Sequence, residues 1–178
     1  MKIKPGHAAS IKLKVEIPSI TDGSYSLLAE VDPDNAVIET NEANNIAVAG
    51  PLAVQQPVVD LSGTFPPPIT ASVVRGKKSS VILDIVNAGN VIAGGKVTVA
   101  LSAAIDNAGN GATPIGTITK RLKLKPAAHA KLKIKFVLPA DLPAGTYFFT
   151  ADIDSTAQIS ESDETNNLAI STESFTAV

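Results

Sequence analysis

The chain has 178 residues, 44% of them hydrophobic and 18% charged, a balance that supports a packed core and argues against an intrinsically disordered chain. A net charge of −2 without a basic stripe argues against a nucleic-acid partner, and no apolar run approaches the roughly 20 residues that span a bilayer. Cysteine is absent, which removes disulfides, thiolate metal sites and cysteine nucleophiles together.

The opening Met1-Lys2-Ile3-Lys4-Pro5 lacks the apolar core of a signal peptide, so the address of an exported protein is expected outside this chain. Ile11-Lys12-Leu13-Lys14-Val15-Glu16-Ile17 then alternates apolar and charged residues, the period of a strand with one buried face. Pro18 ends it, because proline cannot donate to a ladder. Gly23-Ser24-Tyr25 opens a second strand whose inward set is expected to be Leu27, Ala29 and Val31. After an acidic, Asn-rich stretch, Ile46 and Val48 are expected to face inward on a third strand.

Gln55-Gln56-Pro57 reads as a linker and Phe65-Pro66-Pro67-Pro68 as an irregular edge. Strand-like runs follow at Ile69–Val74, Ser80–Val86, Lys96–Ser102 and Ile115–Leu122. Asn87-Ala88-Gly89-Asn90 and Asp106-Asn107-Ala108-Gly109-Asn110-Gly111 separate them with the chemistry of tight turns. No segment sustains a 3.6-residue apolar period, so helix is expected to be scarce.

Residues Lys123–Ile170 repeat residues Lys2–Val48 with one single-residue gap and roughly one position in three identical. Shared positions include Pro5/Pro126, Pro18/Pro139, Gly23/Gly145, Tyr25/Tyr147, Asp32/Asp154, Glu39/Glu161, Glu42/Glu164 and Asn44-Asn45/Asn166-Asn167. Each Tyr stands two residues before a core position at a strand start, where the tyrosine corner of immunoglobulin-like sandwiches falls; a tyrosine simply packed at a strand end is the competing reading. The predicted organisation is all-β. Residues 58–178 form a complete seven-stranded antiparallel β-sandwich, residues 51–57 a linker, and residues 1–50 a partial, three-stranded copy of the same fold.

The partial copy raises a problem of burial. Its inward residues Ile11, Leu13, Val15, Ile17, Leu27, Val31, Ile46 and Val48 have no opposing sheet. Covering eight such side chains is worth on the order of 10–20 kcal/mol before entropy. A partner is therefore expected: a second copy of the chain, the complete unit, upstream sequence, or another protein that donates a strand.

The pattern Gly23-Ser24-Tyr25 … Asp32 … Glu39-Thr40-Asn41-Glu42-Ala43-Asn44-Asn45, repeated as Gly145-Thr146-Tyr147 … Asp154 … Glu161-Ser162-Asp163-Glu164-Thr165-Asn166-Asn167, resembles the CARDB repeat, a cell-adhesion-related domain of bacteria and archaea. Val86-Asn87-Ala88-Gly89-Asn90 resembles that family's V-x-N-x-G turn. The resemblance implies an immunoglobulin-like sandwich strung in tandem on large extracellular or cell-surface proteins.

The acidic hairpins are the one polar constellation with candidate chemistry. Asp32, Glu39, Asn41 and Glu42, with Asp34, Asn35 and Asn45, present oxygens that suit Ca²⁺; Asp154, Glu161, Asp163 and Glu164, with Asp152 and Asn167, do so in the second copy. The competing reading has these side chains satisfying turn backbone, with a capped helical turn at residues 39–42. The copies differ at Asp34/Thr156 and Asn35/Ala157, so a shared metal site cannot use those positions. His7 and His129 read as turn residues, and the Gly-rich segments lack a phosphate-loop pattern. Lys12, Lys14, Lys131, Lys133 and Lys135 read as a solvent face, with anion binding as the alternative.

No paired acids, nucleophile elbow or metal-ligand histidine marks an enzyme, and no catalytic residue or cofactor other than Ca²⁺ is expected. The function expected is a non-catalytic structural or adhesion module. A carbohydrate-binding module with glycan ligands is the alternative, weakened by the absence of Trp and only 4% aromatic residues.

Overall fold

The computed structural model describes residues 2–178. The chain divides into two compact units, Met1–Gln56 and Pro57–Val178.

The second unit is an immunoglobulin-like β-sandwich. Among the described residues its strands are β3 (Leu61–Thr64), the two-residue β4 (Ser72–Val73), β5 (Lys78–Asn87), β6 (Ala93–Ala104), β7 (Thr113–Leu124), β8 (His129–Val137), β9 (Gly145–Asp152) and β10 (Leu168–Ala177). One sheet runs β3-β5-β8 and the other β4-β10-β9-β6-β7. All pairings are antiparallel except that of β4 with β10. The alternation along β8 does what its period requires. Leu132, Ile134 and Phe136 are buried, while Lys131, Lys133 and Lys135 face solvent.

The aromatic centre of this core is Phe149, fully buried on β9. It stacks on Phe175 at 4.2 Å and meets Phe136 edge-on at 5.3 Å. Phe65, which the sequence placed in an irregular edge, is also buried and lies 6.0 Å from Phe149. The Tyr147 hydroxyl donates to the Pro143 carbonyl four residues back at 3.0 Å, the backward bond of a tyrosine corner.

Two expectations for this unit are corrected. The run Ile69–Val74 yields only the short β4, its prolines Pro66–Pro68 having removed donors just upstream. The sequence also missed β3, whose four residues include Gly63 and show no clear alternation. Gly63 matters there, because a Cβ would sit 2.5 Å from the Ile153 side chain and 3.2 Å from the Asp84 carbonyl.

The first unit is a hairpin of β1 (Gly23–Glu30) and β2 (Ile46–Val54), joined through a single 3₁₀ turn at Glu42–Asn44. The expected third strand at residues 11–17 is not formed among the described residues. The physical reason lies in its counterpart: β8 is a strand because it pairs along its length with β5, from Lys78↔Val137 to Val86↔His129. The first unit has no described strand equivalent to β5, so alternation alone leaves the backbone of residues 11–17 unpaired.

The expected inward face is also corrected on β2. Opposed residues of an antiparallel pair share a face, and the register sets Leu27 against Ala49 and Ala29 against Ala47. Ile46 and Val48 therefore lie on the opposite face, with Glu30 and Leu28. The second copy shows the same sense: Ala169 is buried and Leu168, the equivalent of Ile46, is 54% exposed. Sequence weighted the larger side chains, whereas the sandwich buries the small ones where its sheets approach.

Candidate functional site

The candidate site is the loop that carries each strand pair across, residues 31–45 in the first unit and 153–167 in the second. It begins in both copies with an aspartate in the left-handed region, Asp32 at φ 52° and Asp154 at φ 52°. Aspartate tolerates that conformation because its carboxylate bonds locally. Asp32 accepts from the backbone N–H of Ala36 at 2.9 Å and of Val37 at 2.7 Å. Asp154 accepts from Ile159 N, the equivalent of Val37, at 2.7 Å. Behind each aspartate the chain is tied across the hairpin, Val31 N to the Asn45 carbonyl and Ile153 N to the Asn167 carbonyl, both at 2.9 Å.

The second half of the loop is equally conserved between copies in its bonding. Glu42 accepts from Glu39 N at 3.0 Å and from the Asn45 amide at 3.1 Å. Glu164 accepts from Glu161 N at 3.1 Å and from the Asn167 amide at 3.2 Å. Asn41 caps the 3₁₀ turn by accepting from Ala43 N at 3.0 Å, and Asp163 accepts from Thr165 N at 2.8 Å. The bonds from Thr165 also hold the exposed Asp163 carboxyl below its ordinary value.

The structure thus brings together the predicted residues of each hairpin. It directs oxygens of Asp32, Asn41, Glu42, Asp154, Asp163 and Glu164 at the hairpins' own N–H groups. Calcium takes about 6–8 oxygen ligands, and among the described residues no group of three or more His, Asp or Glu side chains is placed to hold an ion. Three buried oxygens of the second copy's loop, Asp154 Oδ1, Asn166 Oδ1 and Asn167 Oδ1, have no hydrogen-bond partner. His7 lies in a turn, with its N–H donating to the Lys4 carbonyl, while His129 opens β8 and sets Nδ1 3.4 Å from Asp84.

In the second unit the loop also reaches outward and grips the segment leading into β3. Leu61 N donates to the Glu161 carboxylate. Ser162 N donates to the Val59 carbonyl at 2.8 Å, and the Asn166 amide donates to the Asp60 carboxylate at 2.8 Å. From the other side Asn87 and its turn close on the same residues. Ala88 N reaches the Asp60 carbonyl at 2.7 Å, Asn90 N reaches the Val58 carbonyl at 3.0 Å, and Val58 N donates to the Asn90 side chain at 2.8 Å. Asn87 is fully buried. Its amide donates to the carbonyls of Val91 and Leu124, and its side-chain oxygen accepts from Gly89 N. The sequence marked the Asn87–Asn90 turn but not its function as a clamp on an edge strand.

Glu161 is the electrostatic pivot of this grip. Its carboxyl is raised from 4.5 to about 7: burial pushes it up most, the N–H of Leu61 pulls it down, the charge of Glu164 pushes it up, the Asn167 amide pulls it down and the charge of Asp154 pushes it up. Asp152 is raised as well, by burial and then by Asp154.

One hollow on the second unit lies between Pro66, Pro67, Ile69, Ile82, Lys131 and Lys133, with no carboxylate, histidine or aromatic ring on its walls. Among the described residues no helix is long and apolar enough to cross a membrane.

A closed immunoglobulin-like sandwich and a two-stranded hairpin, each carrying the same acidic and Asn-rich lock, define the class of molecule. The chain belongs to the CARDB family, whose model matches residues 1–49 and 68–171. Among solved structures it resembles a CARDB domain from Pyrococcus furiosus crystallised in complex with di-metal ions, at 18% identity over 70% of this chain and 98% of that one, with a TM-score of 0.48. It also resembles a domain assigned to a cell surface protein of Methanosarcina acetivorans, at 21% identity over 68% of this chain and 93% of that one, with a TM-score of 0.47. No curated protein matches the chain.

Proposed function

We propose that the chain is a non-catalytic structural and adhesion module of an extracellular or cell-surface protein, used as a tandem repeat. The observation that carries this reading is the duplication itself. The two copies share the principal bonds of their turn locks, from Val37 N and Ile159 N to Asp32 and Asp154 and from the Asn45 and Asn167 amides to Glu42 and Glu164. In this reading the acidic residues Asp32, Glu42, Asp154 and Glu164 are turn locks, and the open face of the first unit is an interface for another polypeptide.

Membership in the CARDB family supports the surface setting. Antibodies against the purified chain are expected to label intact cells of the native source. Labelling that appears only after permeabilisation overturns the reading.

A further inference from the structure

The near-neutral net charge hides a segregation along the chain. Residues 107–140 hold seven of the fifteen Lys and Arg residues and no Asp or Glu. In the second unit three cations come together on the outer face of β6 and β7. The register sets Lys96 against Arg121 and Gly94 against Lys123, and opposed residues share a face. The side chains of Lys96, Arg121 and Lys123 make no hydrogen bond or ion pair among the described residues. Gly94 completes the block. Glycine weakens a strand, and what keeps it there is a positive φ, a bulge or the close approach of another group. Gly94 has no positive φ, its register with β7 is unbroken, and no atom lies within 4 Å of where a Cβ would stand. The space above it is open. Ile92, Gly94, Gly95, Arg121, Leu122 and Lys123 line a hollow there, and its apolar wall, Ile92, is 48% exposed.

We propose that this block is a binding site for an acidic sugar, the uronate units of a polysaccharide. The Arg121 guanidinium takes the planar carboxylate in a two-bond fork, and Lys96 and Lys123 add positive charge beside it. Arg121 and Lys123 stand two residues apart on one strand, about 7 Å, so neighbouring acidic units of one chain each meet a cation. The bare main chain at Gly94 lets a ring lie close where a side chain would hold it off, and Ile92 meets the ring's C–H groups. Because the block lies on the face of the sheet, its ligand is held by side chains and not by a strand ladder. That suits a ring carrying its own carboxylate and hydroxyls better than a peptide, whose backbone N–H and C=O groups would go unpaired there. Recognition is by charge, so the scarcity of aromatic rings does not weigh against it. The site goes beyond the structural role above and does not depend on it.

The test is titration of the ¹⁵N-labelled full chain with a galacturonate trisaccharide at low ionic strength, with the neutral galactose trisaccharide as control. Saturable shifts are expected at Gly94, Lys96, Arg121 and Lys123 with the acidic sugar alone. Arg121→Ala should weaken binding about tenfold, the loss of one charge-assisted contact. Gly94→Leu should abolish binding while leaving every charge in place, and the open space at that position lets the variant fold as the parent does. Lys135→Ala, on the other sheet, should change affinity by less than about twofold. The proposal is overturned by the absence of saturable shifts at millimolar acidic sugar, or by equal shifts with the neutral one. Unchanged binding in Gly94→Leu overturns it too, as does equal weakening by Lys135→Ala and Arg121→Ala, the mark of diffuse charge. A hexaglutamate peptide that binds the same residues as tightly would make the ligand a peptide and overturn the assignment to a sugar.

Discussion

Glu161 accepts a hydrogen bond from the backbone N–H of Leu61, one hundred positions earlier in the chain. One loop carboxylate thereby fastens the edge strand of one sheet to the loop between two strands of the other. Burial raises that carboxyl from 4.5 to about 7. The folded protein therefore binds a proton that the unfolded chain has already released, and stability falls as pH rises between about 4.5 and 7. Glu164, Asp154 and the Asn167 amide are the other groups that face it. The urea midpoint is expected to be higher at about pH 5 than at about pH 8, and Glu161→Gln should flatten the upper part of that slope. A Gln variant that keeps the full slope contradicts the assignment.

Asn87 holds two carbonyls and a backbone N–H with one buried side chain. Asn87→Ala leaves all three without that partner in an apolar setting, so a loss of about 3 kcal/mol is expected. Chemical denaturation of the single variant checks it. A loss below about 1 kcal/mol would show that water replaces the amide at little cost.

Gly89 lies where the Asn87 turn meets the segment before β3. A Cβ there would stand 2.3 Å from the Val58 carbonyl oxygen and 2.8 Å from Val59 Cα, both backbone atoms that cannot rotate away. Gly89→Ala should cost about 3 kcal/mol and speed amide exchange at Val58–Leu61. Unchanged exchange in that segment would contradict the close approach.

Ala157 occupies the left-handed region at φ 46°, where the first copy has Asn35 at φ 49°. A β-carbon in that region costs about 1 kcal/mol, which asparagine partly relieves by local bonding. Ala157→Asn is expected to raise the urea midpoint, and Ala157→Gly to do so less, because glycine loses more backbone entropy. A lower midpoint for the Asn variant contradicts the strain argument.

The acidic hairpins act as turn locks in this account, so neither Ca²⁺ nor a chelator should move the melting temperature. Asp154→Ala, by contrast, should destabilise by about 2 kcal/mol through the loss of the bond from Ile159 N. A melting temperature that rises with Ca²⁺ and falls with chelator would return Asp154, Glu161 and Glu164 to the role of ligands.

Much of this was readable from residue order. The period-2 pattern of residues 131–137, the Tyr147 corner and the matched positions of Asp32 and Asp154 all act locally, so local sequence reports them faithfully. What sequence did not report depends on partners. Residues 11–17 carry the same alternation as β8, but a strand is a pairing, and β5 has no described equivalent for them. Ile46 and Val48 look like core residues by size, yet the register with β1 turns them to the other face. The grip of Glu161, Ser162 and Asn166 on residues 59–61 spans a hundred positions, and only its partner-free half is visible in the motif.

The unequal state of the two copies is tested most directly by hydrogen–deuterium exchange on the intact chain at low concentration. Amides of residues 132–138 should be strongly protected, while those of residues 11–17, nearly identical in pattern, should exchange close to the rate of an unstructured chain. Equal protection of the two segments would contradict an open first unit.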